Sequence, residues 1–141
     1  MKIAVIDAQG GGLGKIIVEK LKNIVNDAEI IALGTNVVAT GTMKKAGALQ
    51  AATGENAIVY NVQKADIILG GIGIIAANSM LGEITPKMAE AVSSSNALKI
   101  LIPIGKCHIL IPGSQSFTIN ELIDQAIECI AEHTEKMYGD V

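Results

Sequence analysis

Residues 1–15, MKIAVIDAQGGGLGK, carry an apolar run, an acid at its end, and then Gly10-Gly11-Gly12-Leu13-Gly14 ahead of Lys15. A strand that feeds a glycine turn opening a helix brings bare backbone N–H groups to the positive end of that helix, which is chemistry for holding an anion. The expected ligand is a nucleotide or a phosphorylated small molecule. The loop departs from each specific template. A dinucleotide fingerprint aligned on Gly11 and Gly14 finds Gln9 where its first glycine belongs, and a P-loop finds Gln9 for its leading glycine and Ile16 for its magnesium-holding hydroxyl. The alternative is steric, since glycines after a first strand also let helix and strand pack closely.

A second glycine cluster, Gly70-Gly71-Ile72-Gly73, follows another buried run, and Asn78, Ser79 and Glu83 come after it. Ligands of open parallel sheets sit outside the carboxyl ends of the strands where chain order reverses, so two central strands would set both loops across one crevice. The expected binding residues are therefore Gly10, Gly11, Gly12, Leu13 and Gly14 on one side and Gly70, Gly71, Gly73, Asn78 and Ser79 on the other. Asn36 joins them from Gly34-Thr35-Asn36, where dinucleotide-binding domains usually carry an acid for the ribose hydroxyls. NAD(H) or another nucleotide is the expected cofactor; with no arginine in the chain, NADP lacks its usual clamp.

No catalytic set is recognisable. His108 and His133 are expected on an edge strand and on the last helix, far from a shared site. Cys107 and His108 are neighbours in a strand and point to opposite faces. Cys129 is expected in the core. Glu55 and Glu83 are the acid–base candidates, though each is explained more simply as compensating the dipole of a helix start. No metal site is expected, because two cysteines so far apart suit neither zinc nor a disulfide framework.

The elements that must position these residues alternate along the chain. Strands are expected at Lys2–Ile6, Glu29–Leu33 and Asp66–Leu69, with a short edge strand near Ala48–Ala52. Helices are expected over Gly12–Val25, Val37–Ala46 with Gly47 ending it, from Thr53-Gly54-Glu55 to Lys64, and over Pro86–Ser95 behind a Thr85 cap. Lys99–Ile104 then turns through Gly105-Lys106-Cys107 into His108–Ile111, read as an antiparallel edge hairpin. Thr118-Ile119-Asn120-Glu121 has the capping-box form and opens a last helix striped by Leu122, Ile123, Ala126, Ile127 and Ile130. The fold class is α/β: one Rossmann-like doubly wound domain over 1–141, its sheet mostly parallel, in the order 3-2-1-4-5, with an antiparallel C-terminal edge.

Composition narrows the partners. Half of the 141 residues are apolar and only 18% are charged, which suits a sheet buried on both faces and leads us to expect a homodimer that hides further apolar surface, through the Leu122–Ile130 stripe of the last helix or through the hairpin edge. A net charge of −3, eleven lysines with no arginine, no Trp and one Phe argue against nucleic acid. No apolar run reaches the roughly 20 residues of a membrane helix, and the start lacks the pattern of a signal peptide, so cytoplasmic residence is expected.

VIDAQGGGLGK, ALGTN, ATGENAIV, ADIILGGIGIIAANSMLGEITP and the hairpin around ILIPI together resemble a small bacterial family known only as domain of unknown function 3842, with a Rossmann-like fold. The resemblance spans nearly the whole chain and implies a soluble bacterial protein. Ala8 and Gly71 stand where that family has Gly and Pro. The activity stays open among a nucleotide- or phosphate-binding domain, a small NAD(H)-dependent oxidoreductase, and a structural or assembly protein without a ligand.

Overall fold

The computed structural model describes residues 1–25, 27–104 and 108–139, with side chains described as far as residue 136. Five strands form one all-parallel sheet in the order β3-β2-β1-β4-β5: β1 Lys2–Asp7, β2 Glu29–Gly34, β3 Gln50–Thr53, β4 Ile67–Gly71 and β5 Leu98–Ile102. The helices are α1 Gly12–Ile24, α2 Val37–Ala46, α3 Glu55–Val62, α4 Pro86–Ser94 and α5 Ile119–Gly139, with short 3-10 turns at Ile72–Ile75 and Ser114–Ser116. This is the Rossmann-like α/β architecture expected from the alternation of buried runs and amphipathic helices.

Strand periodicity divides the core in two. Ile3 and Val5 of β1 face α1 and α5 with Ile17, Leu21, Ile123 and Ile127, while Ala4 and Ile6 face α3 and α4 with Ile58, Val62, Met88 and Val92. Because helices cover both faces, β1 and β4 are apolar without alternation, and their residues are buried throughout apart from the first of β1. Local signals end the helices as expected. The Thr85 hydroxyl accepts from the Met88 N–H, Pro86 takes the first turn, Gly47 has φ 120 after α2, and Thr118 and Glu121 exchange both capping-box bonds.

Three expectations are corrected. The antiparallel hairpin does not form among the described residues: the sheet ends at β5, and His108–Ile111 is irregular chain leading into Pro112 and Gly113, with its turn at 105–107 outside the described residues. Its apolar side chains face a cleft instead of a ladder. Cys129 is exposed, because the buried stripe of α5 runs through Ile123, Ala126, Ile127 and Ile130 and leaves position 129 off its edge. That stripe is also consumed by the chain's own core, so it is not a face left for a partner. No helix among the described residues is long and apolar enough to cross a membrane.

Candidate functional site

β1 and β4 are neighbours at the centre of the sheet, and the chain leaves them toward opposite faces, so their carboxyl ends border the crevice expected of this topology. A cleft of about 610 Å³ opens there. One wall is the first loop from Asp7 to Leu13, the floor includes Gly71 and Gly73, and the far wall is the segment after β5, with Ile104, Ile109, Leu110 and Phe117 among its residues.

The two readings of the glycines separate position by position. A side chain at Gly11 would meet the Ala39 backbone at 2.9 Å, one at Gly14 would meet the Met43 sulfur at 2.5 Å, and one at Gly70 would meet the Ile6 carbonyl at 2.7 Å. Those three are packing glycines, and Gly11 also needs its φ of 75 to enter the helix. Gly10 and Gly12 differ: a Cβ there meets nothing within 4 Å, and neither has a positive φ. Packing gives no reason for their bareness, and both line the cleft.

Asp7 organises the loop, a role not assigned to it from sequence. It ends β1 and is buried, and its carboxylate accepts from the Ala8 N–H at 2.8 Å and the Gly14 N–H at 2.7 Å. The second bond satisfies an N–H in the first turn of α1 that no other residue caps. Burial pushes the Asp7 carboxyl above its ordinary value against the pull of these two bonds, with the Glu83 charge adding to the rise. Among the described residues the N–H groups of Gly12 and Leu13 donate to nothing, so two donors of the helix start remain beside the open cleft.

Glu83 is the other organising acid. Three donors converge on its Oε1: the Gln9 N–H at 2.9 Å, the Thr35 hydroxyl at 2.7 Å and the Asn36 amide at 2.8 Å. Partial burial opposes ionisation, and the three donors outweigh it and hold the carboxyl below its ordinary value. Compensation of a helix start does not describe Glu83, since α4 is capped by Thr85 and Glu83 reaches away from it. It does describe Glu55, which stands in the first turn of α3 and accepts from the Thr85 hydroxyl at 2.5 Å.

The cleft thus brings together Gly10, Gly11, Gly12, Leu13, Gly71 and Gly73 of the expected residues. Gly14 and Gly70 stand behind it as packing positions. Ser79 is buried and donates to the Gly73 carbonyl at 2.5 Å, supporting the floor, and the Asn78 backbone closes the same loop by bonding to Ile84 and Gly82. Asn36 caps α2 through the Ala39 N–H and spends its amide on Gln9 and Glu83. His108 lies in the irregular chain after β5 and His133 lies on α5, and neither lines the cleft. Cys107 lies outside the described residues. The far wall is not legible in the sequence, because Ile104, Ile109 and Leu110 read as strand residues and Phe117 carries no signal.

The model of one family, described as a domain of unknown function (DUF3842), matches residues 2–135, and the chain belongs to that family. A search of curated proteins finds no match.

Proposed function

We propose that this member of the family binds a small molecule bearing a phosphate, a nucleotide in the first instance, with the phosphate on the N–H groups of Gly12 and Leu13 and the remainder against the apolar far wall. The observation that carries the reading is that Gly10 and Gly12 face open cleft, where neither packing nor backbone conformation asks for glycine. An anion can approach bare N–H groups more closely there than a β-carbon would permit, and the start of α1 supplies a favourable dipole. Asp7 takes the Gly14 N–H and leaves the two donors before it. The wall around Ile109, Leu110 and Phe117 suits a base or another flat apolar group.

Thermal melts with ATP, GTP, FMN, NAD and NADH test this, the last two covering the narrower oxidoreductase reading. At least one is expected to raise the wild-type midpoint, and Gly12→Val is expected to abolish the rise at only a modest cost to the unliganded midpoint, because a Cβ there meets nothing within 4 Å. A wild-type midpoint that none of the five moves overturns the nucleotide reading.

A further inference from the structure

We infer that the cleft takes an amphiphile, a phosphate ester of a hydrocarbon chain, with the chain lying along Leu13, Ile104, Ile109, Ile119 and Leu122. The inference rests on the phosphate half of the proposed reading, the open donors of Gly12 and Leu13, and narrows what that phosphate is attached to. A nucleotide base becomes the weaker occupant of the far wall.

The first support is continuity between donors and wall. Leu13 belongs to both: its N–H is one of the two open donors at the start of α1, and its side chain lines the cleft. Gly71, at the end of β4, forms the floor between Leu13 and Ile104. A Cβ there would stand 3.4 Å from Leu13 Cδ2 and 3.5 Å from Ile104 Cγ1, which is ordinary contact, and the φ of −66 suits any residue. Neither crowding nor backbone conformation asks for glycine, and its bareness leaves a groove from the donors toward the far wall. Leu13, Ile104 and Leu122 also pack against the core layer that faces α1 and α5, so donors and wall share one side of the sheet.

The second support is the chemistry of the wall. The Ser114 hydroxyl is spent on the Ile111 carbonyl at 2.6 Å, and Gln115 is exposed. The other residues of the wall are apolar, and Ile109, Phe117 and Ile119 among them stand exposed to solvent. A base carries donors and acceptors on its edges, and covering them with such a surface strips their bonds to water without replacing them. A hydrocarbon loses no hydrogen bonds there, and it covers side chains that are otherwise wet. At about 610 Å³ the cleft has the size that encloses a small molecule.

Isothermal titration of the wild type with inorganic phosphate, butyl, hexyl and octyl phosphate, hexan-1-ol and AMP tests the assignment. Affinity is expected to rise about two- to fourfold per added methylene, the scale of hydrocarbon leaving water, with AMP bound more weakly than octyl phosphate. Ile109→Ser combined with Ile119→Ser, two positions outside both core clusters, is expected to flatten that rise. Gly12→Val is expected to weaken octyl phosphate about tenfold or more, the scale of lost hydrogen bonds to a charged group. A flat wild-type series, or AMP bound as tightly as octyl phosphate, overturns the inference and leaves the phosphate reading standing, and neither outcome needs a variant to fold. A rise that survives both serines places the chain elsewhere and overturns the inference as well. Octyl phosphate held equally by the wild type and Gly12→Val, or hexan-1-ol bound as tightly as hexyl phosphate, removes the phosphate reading and the inference together, as does a wild type that binds none of the probes. Vesicles of phosphatidylcholine containing phosphatidic acid present the same chemistry from a membrane. Flotation with them, without any response to the free alkyl phosphates, overturns the inference in favour of a lipid surface.

Discussion

At the scale of single residues, bareness means different things in one glycine loop. Gly14→Ala and Gly70→Ala drive a methyl into the Met43 side chain and the Ile6 carbonyl, and each is expected to lower stability by about 1–3 kcal/mol in denaturant titrations. Gly10→Ala is expected to stay close to wild type in the same experiment. Asp7→Ala orphans the Ala8 and Gly14 N–H groups and should cost about 2 kcal/mol. The two acids also titrate in opposite directions. Folding raises the Asp7 pKa, so its contribution to stability is greatest below the ordinary carboxylate range and is lost as pH rises through the raised value. Folding lowers the Glu83 pKa, so its contribution is present above the ordinary range and is lost as pH falls through the lowered value. Carbon NMR titration of the side-chain carboxyls should find Asp7 above and Glu83 below their ordinary midpoints, with Asp7 moving down in Glu83→Gln once the neighbouring charge is gone. A lowered Asp7 midpoint would contradict the dominance of its burial, and a raised Glu83 midpoint would contradict the three donors on its carboxylate.

The elements are the most legible part of the chain, and the reason is local. β1, β2 and β4 are apolar runs bounded by glycines, and the helices between them carry stripes and caps whose partners lie three or four residues away, as with Thr85 and Met88 or Thr118 and Glu121. The site is built from contacts of the opposite kind. Nothing near Glu83 in sequence announces that Gln9, Thr35 and Asn36 will hold it, so an acid beside a glycine before a helix reads as charge compensation. The segment after β5 misleads for another reason, since a cleft wall and a strand are both short apolar runs. The loop between the 3-10 turn and α4 supplies a test at this scale. Leu81 has φ 58 and is 98% exposed, so its side chain contributes no burial to offset the left-handed backbone. Leu81→Gly is expected to raise the thermal midpoint, by an equivalent of up to about 1 kcal/mol, and to leave the Glu83 bonds in place. A fall in the midpoint would mean that Leu81 is covered in solution.

For the molecule as a whole, an apolar composition raises the question of where the excess goes. Much of it fills two core layers, one of which absorbs the α5 stripe that in sequence looks available to a partner. What remains outside is unevenly placed. Ile24, Leu49, Tyr60 and Leu98 are scattered, whereas Val37 and Val38 open α2 just after β2, Leu81 follows β4, and Leu110 and Phe117 follow β5, so these five exposed side chains lie past the carboxyl ends of the strands. They form a rim at that end of the sheet, and Leu110 and Phe117 of it line the cleft. Single exposed apolar residues need no explanation, but several at one end of a sheet mark a surface that associates. The contact of the homodimer expected from composition is therefore moved from the α5 stripe or the hairpin edge to this rim, and light scattering at micromolar concentration is expected to find a dimer. Leu81→Ser combined with Leu110→Ser is expected to yield a folded monomer, because neither side chain belongs to a core cluster. A wild-type monomer would leave the rim to the ligand alone, whereas a dimer that survives both serines would place the contact elsewhere, with the outer strands β3 and β5 as the next surfaces to test.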